Sequence, residues 1–192
     1  MKKLFKVIAG LLALALLAVM ALAWWYLGTD EVEPPALPGT LRSGGLEHDG
    51  LSRSWLAYIP SSVADSPPLV LLLHGSRGDG QRMLKASFYS FNVEAERRGF
   101  IAVYPDGFEK HWNDCRAGAI YSANTLDIDD VGFLRQLVER FAEEFGADRS
   151  RVYVAGLSNG GHMAYRMGLE APRVVAGIGA IGANLPVASN LG

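Results

Sequence analysis

The chain has 192 residues, the length of one domain with a tail, and carries 18 Lys and Arg against 20 Asp and Glu. Lys2, Lys3 and Lys6 precede every acidic residue. The rest of the chain keeps 15 of the 18 basic residues against all 20 acidic ones, with no basic run of four, so nucleic acid is not an expected partner. Cys115 is the single cysteine, which excludes an intrachain disulfide and a thiolate metal cluster. His48, His74, His111 and His162 lack metal-ligand spacing, so neither a metal nor a cofactor is expected.

After the lysines, Val7 to Leu27 runs without a charge. As a helix it would span about 31 Å, enough to cross a bilayer core. Ala21-Leu22-Ala23 offers a cleavage site for a signal peptide. The apolar run continues through Trp24-Trp25-Tyr26-Leu27, an interfacial aromatic pattern that favours an uncleaved anchor over a cleaved signal. Lysines before and Asp30, Glu31 and Glu33 after place the N-terminus in the cytoplasm and the remainder outside it. Residues 1–27 are therefore read as the anchor or signal. Residues 28–45 are read as a linker, because Pro34, Pro35, Pro38 and several glycines break regular structure, and 46–192 as the folded part.

Leu51 to Ile59 reads as a strand. Leu69 to Leu73 is an apolar run of the kind buried on both faces of a parallel sheet. A glycine-rich loop from His74 to Gly80 follows, then a helix over Gln81 to Arg98 with an irregularity around Ser87 to Asn92. Phe100 to Tyr104 is a strand ended by Pro105-Asp106-Gly107. Val131, Leu134, Val138, Phe141 and Phe145 recur at helical spacing over Asp130 to Phe145, with Asp129 or Asp130 as the cap and Gly146 as the stop. Arg151 to Ala155 and Val174 to Ile181 read as further strands. This alternation predicts an α/β fold with an open, mostly parallel sheet and helices on both faces.

Gly156-Leu157-Ser158-Asn159-Gly160 lies between a strand and a helix. Strand, G-x-S-x-G, helix is the nucleophile elbow, in which a sharp turn lifts a serine hydroxyl out of the sheet above a helix N-terminus. Ser158 is the candidate nucleophile. The backbone N–H of Asn159 is one candidate oxyanion donor. A second is expected from the loop after Leu73, at Ser76 or Arg77. His74 is expected to hydrogen-bond that loop, and Trp112 either to wall a substrate pocket or to pack. A serine also needs a base and an orienting carboxylate. In this fold they follow in the order Ser, Asp or Glu, then His. After Ser158 the sequence offers only Glu170 and His162, and His162 sits one turn along the elbow helix, where packing or capping is the expected role.

Leu71-Leu72-Leu73-His74-Gly75, Val103-Tyr104-Pro105-Asp106-Gly107, Trp112-Asn113-Asp114, Asp129-Asp130-Val131-Gly132-Phe133 and Val152 to Gly161 occur in an order that resembles the secreted esterases comprising polyhydroxybutyrate depolymerases, feruloyl esterases and acetyl xylan esterases. The resemblance runs from about Ser54 to Ile181. It implies an α/β-hydrolase fold and hydrolysis of polyester or cell-wall esters through an acyl-enzyme. It also implies an Asp and a His beyond these motifs and, for Cys115, a partner in a longer chain. On this reading the C-terminal strands and two triad members are missing, and the chain as given is inactive. A serine peptidase on the same scaffold and a non-catalytic, membrane-anchored binding domain are the competing classes.

Overall fold

The computed structural model describes residues 2–27, 33–114 and 116–186. The expectations placed on Cys115 and on residues 28–32 fall outside them. The chain divides into two units, Met1–Glu33 and Pro34–Gly192. Among its described residues the first holds one helix, α1 (Lys2–Leu27). Within it Phe5–Trp24 has a mean hydropathy of 2.6 and none of the span is buried, so by length and composition it is long and apolar enough to cross a membrane.

The second unit is a six-stranded sheet. In chain order its elements are β1 (Thr40–His48), β2 (Leu51–Ile59), β3 (Leu69–Leu73), α2 (Gly80–Ala86), α3 (Ser90–Arg98), β4 (Ile101–Pro105), α4 (Ser122–Thr125), α5 (Asp130–Phe145), β5 (Val152–Leu157), α6 (Asn159–Glu170) and β6 (Gly177–Ile181). The strands lie in the order β1-β2-β4-β3-β5-β6. β4, β3, β5 and β6 run parallel, and β1 and β2 add an antiparallel edge. Side chains alternate along β3. Leu69, Leu71 and Leu73 pack with Phe133, Leu134 and Phe141 of α5 and Met163 of α6, whereas Leu72 packs with Leu84 of α2 and Tyr104 of β4. Helices therefore cover both faces, as the alternation of elements predicts.

Residues 40–45 depart from expectation: they are not linker but the first part of β1. Thr40 to His48 pairs with Ile59 to Leu51 in one continuous antiparallel register. The hairpin turns at Asp49-Gly50, whose φ values of 50° and 72° suit a two-residue Asp-Gly loop. Gly44, which looked like a breaker, is a site of close approach: a Cβ there would lie 2.3 Å from the Trp55 ring. The proline-rich stretch before Thr40 has no regular structure, as expected.

The expected irregularity between Ser87 and Asn92 is a full break. Phe88 and Tyr89 take φ values of 53° and 55° and separate α2 from α3. α5 has the expected bounds. Asp129 caps it by accepting from the Gly132 amide at 2.8 Å, and Gly146 closes it in left-handed backbone. β6 starts later than predicted, because the amides of Val174 and Val175 donate to Ala171 O in a turn and not to the ladder.

Candidate active site

β5 runs into α6 through Ser158 alone. That residue has φ 53° and ψ −116°, backbone that an L side chain adopts only under constraint, and it is exposed at the tip of the turn. Its amide donates to Ile181 O at 2.8 Å, tying the turn to β6. The flanking glycines are required by contact. A Cβ on Gly156 would lie 2.2 Å from Gly160 O, and one on Gly160 would lie 2.3 Å from Leu73 O. The elbow is thus wedged between its own helix and the end of β3.

The loop after β3 reaches the same place. A Cβ on Gly75 would sit 3.6 Å from Ser158 Cβ, so the backbone leading into Ser76 passes beside Ser158. Of the two candidate donors there, Arg77 is already committed: its amide donates to Lys110 O at 3.0 Å. Ser76 is the one left. Asn159 is the first residue of α6, so its amide has no acceptor within the helix.

His74 holds the loop, as expected. It is buried, with Nε2 accepting from the Gly107 amide at 2.9 Å and Nδ1 donating to Gly75 O at 2.8 Å. Those two bonds define a neutral ring protonated at Nδ1. Burial pushes its pKa below the ordinary value, against the opposing effect of the Gly75 carbonyl. Asp106, just after β4, links distant segments of the chain. It accepts from the Gly80 amide at 2.7 Å and from Ser54 Oγ at 2.5 Å.

Of the two roles expected of Trp112, its burial fits packing. It is fully buried, its Nε1 donates to His74 O at 3.0 Å, and its ring centroid lies 5.0 Å from that of His74. It packs against His74 at the start of the loop after β3. Its backbone is held in turn by Asn159, whose Oδ1 accepts from Trp112 N at 2.8 Å while Nδ2 donates to Trp112 O at 3.0 Å and to Asp114 Oδ2 at 2.6 Å. Asn159 therefore brings two things to the elbow: a backbone N–H beside Ser158, and a buried side chain that fixes the loop after β4.

The sequence reading missed this loop's polar anchors. Asp130 does not cap α5. It is buried in an ion pair with Arg53 at 2.6 Å and accepts from Asn113 N at 2.7 Å. Asn113 also donates to Asp127 Oδ1 and Ile128 O, and Arg166 of α6 donates to Asn113 O at 2.7 Å. Asp114 binds Arg116 at 2.6 Å as well as Asn159. Trp112-Asn113-Asp114 and Asp129-Asp130 were visible as motifs, but only the fold shows that they face one another.

None of the four histidines hydrogen-bonds Ser158 Oγ among the described residues. His162 Nδ1 lies 3.0 Å from the backbone oxygen of Ser158, and its Nε2 accepts from Asn184 N at 3.4 Å, a helix-start role. His48 contacts Gln136 Oε1 at 2.8 Å and Asp129 Oδ2 at 3.1 Å. His111 lies against Tyr121, with Nδ1 on Glu109 O at 2.9 Å.

A family model described as Esterase PHB depolymerase matches residues 53–186. A poly(3-hydroxybutyrate) depolymerase from Ralstonia pickettii is 32% identical over 136 residues, covering 65% of this chain and 27% of that protein. Acetylxylan esterase A from Emericella nidulans is 30% identical over 122 residues, covering 62% and 38%. The chain thus spans well under half the length of these relatives. Among solved structures, an acetyl xylan esterase from Aspergillus awamori superposes with a TM-score of 0.57 at 20% identity, covering 79% of this chain and 56% of that one. An S-formylglutathione hydrolase from Agrobacterium tumefaciens gives 0.57 at 18% identity, covering 77% and 59%. At these identities the superpositions establish the α/β-hydrolase fold.

Proposed function

The chain belongs to the Esterase PHB depolymerase family, and we propose that it supplies the nucleophile and oxyanion site of an exported carboxylic-ester hydrolase. The observation that carries this reading is Ser158, exposed at positive φ at the junction of β5 and α6, with the Asn159 amide on one side and the loop of Gly75 and Ser76 on the other.

In the proposed reaction Ser158 Oγ attacks the ester carbonyl carbon and gives its proton to a base. The carbonyl oxygen becomes an oxyanion held by the Asn159 and Ser76 N–H groups. The carbon–oxygen bond then breaks, the alcohol leaves with the proton, and water releases the acid from the acyl-serine. Preorganisation is the protein's main contribution. The Asn159 side chain, the buried Trp112 and the neutral His74 fix both donors before substrate arrives, and one such donor is worth roughly 3–4 kcal/mol of barrier. Turnover also needs a base for the Ser158 proton and an orienting carboxylate; among the described residues the rings of His48, His74, His111 and His162 hydrogen-bond groups other than Ser158 Oγ. Without them the elbow and oxyanion site are expected to give only a small residual rate.

The substrates named for the relatives, a poly(3-hydroxybutyrate) and an acetylated xylan, support polyester or cell-wall ester as the substrate class. The helix α1, with lysines before its apolar span, supports anchorage with the catalytic unit outside the cytoplasm. Labelling of Ser158 by a fluorophosphonate, lost in Ser158→Ala, tests the nucleophile.

A further inference from the structure

A second hydroxyl lies one hydrogen bond away from Ser76, the residue whose amide is the proposed second oxyanion donor. Ser76 Oγ donates to Tyr121 Oη at 3.1 Å, and the Ser76 backbone is the segment that passes next to Ser158. Because the phenol oxygen accepts this bond, its own proton remains available to a further acceptor. The ring is fixed on its surroundings. His111 stacks on it at 4.0 Å between centroids and 17° between planes, and the Arg116 guanidinium lies 5.6 Å from its centroid. Arg116 is held by Asp114, the carboxylate that also holds Asn159. One buried acid therefore anchors both the elbow and the aromatic side of the site. The hydrogen bond from Ser76, then the nearby Arg116, lower the Tyr121 pKa against the effect of burial, which makes its O–H a stronger donor than an ordinary phenol.

We propose that Tyr121 is a further catalytic donor, its hydroxyl hydrogen-bonding the carbonyl oxygen of the bound ester as that oxygen becomes an oxyanion. The role rests on the reading of Ser158 as nucleophile. Ser76 then serves twice: its amide is one oxyanion donor, and its hydroxyl orients the phenol that supplies another. Three donors at one oxyanion accommodate a full charge, and the third comes from a side chain whose proton is selected by a neighbour. No step is added to the chemistry, and the phenol keeps its proton throughout.

The alternative is that the Ser76–Tyr121 bond only clamps the loop, and two variants separate the possibilities. Ser76→Ala breaks the same bond but leaves the phenol, whereas Tyr121→Phe keeps the stacked ring and removes the donor. The probe is phenylboronic acid, whose tetrahedral adduct on a serine places an oxygen in the oxyanion site without turnover. Its affinity for the full chain is measured by titration, with near-ultraviolet circular dichroism confirming the fold of each variant. Tyr121→Phe is expected to weaken binding by about tenfold or more, and Ser76→Ala by about threefold or less. Equal losses in both variants, or no loss in Tyr121→Phe, would overturn the donor role. Boronate binding that is lost in Ser158→Ala but unchanged in Tyr121→Phe overturns this inference alone. Boronate binding unaffected by Ser158→Ala overturns the nucleophile reading, and this inference with it.

Discussion

Asn159 Nδ2 donates to Asp114 Oδ2 at 2.6 Å, joining the first turn of the elbow helix to the loop after β4. Both side chains are buried, Asn159 fully and Asp114 almost so. The bond is charge-assisted, and neither group has bulk water to fall back on. It holds the residue after Ser158 in place from the side opposite the solvent.

Removing the carboxylate should therefore cost far more than a surface contact would. Asp114→Ala removes the charged one of the two acceptors of Asn159 Nδ2, leaving Trp112 O, and releases Arg116, and is expected to destabilise the Pro34–Gly192 unit by about 2–4 kcal/mol. Asp114→Asn, which keeps an acceptor oxygen for Asn159, should lose less. Urea unfolding of the three proteins measures the difference. A loss below about 0.5 kcal/mol in Asp114→Ala would mean that the loop is held by other contacts.

The elbow glycines give a sharper contrast. Gly156→Ala and Gly160→Ala place a methyl group within 2.3 Å of backbone oxygen. Rigid strand and helix must separate to admit it, at about 3 kcal/mol or more. At Gly118 a methyl group would meet nothing within 4 Å, and the backbone there is not left-handed, so Gly118→Ala should stay within about 0.5 kcal/mol of the parent. Thermal unfolding midpoints of the three variants decide the matter.

Stability should fall on mild acidification because of His74. Its folded pKa is lowered, chiefly by burial, so the unfolded chain takes up a proton near pH 6.5 that the folded chain refuses. The unfolding free energy then drops as pH falls through about 6.5, by at most about 1.4 kcal/mol per pH unit from this group. His74→Gln keeps an acceptor for the Gly107 amide and cannot titrate. It should be less stable than the parent at pH 7, with a flatter slope between pH 7 and pH 5. An unchanged slope would assign the acid sensitivity to other groups.

Membrane topology is testable with reporters fused after Ala36, ahead of β1. An export-dependent reporter should be active there and a cytoplasm-dependent one silent, with the protein remaining in the membrane fraction. Activity of the cytoplasmic reporter would reverse the orientation. Soluble protein beginning at Trp24 would show that α1 is cleaved.

How far the sequence could be read follows from the range of each interaction. Periodicity and local punctuation exposed α5 to the residue, the break between α2 and α3, and the elbow, because caps, apolar spacing and the G-x-S-x-G turn act within a few positions. β1 was hidden because Gly44 answers to Trp55 and Gly45 to the Arg53 backbone, both on the neighbouring strand, although Asp49-Gly50 was a hairpin signal in plain view. Trp112 was ambiguous because an aromatic in a loop has no local pattern. Its burial depends on His74 and Asn159, each more than thirty residues away. The Arg53–Asp130 pair was unreadable for the same reason: nothing near either residue announces the other.

The most direct test of the central claim is ester hydrolysis by the protein expressed from its complete reading frame, wild type against Ser158→Ala. With p-nitrophenyl acetate, the wild type should turn over and carry a fluorophosphonate adduct on the peptide containing Ser158. The variant should lose the adduct and at least about 10⁴-fold in kcat. A variant that retains the wild-type rate, or an adduct on another residue, would contradict Ser158 as the nucleophile.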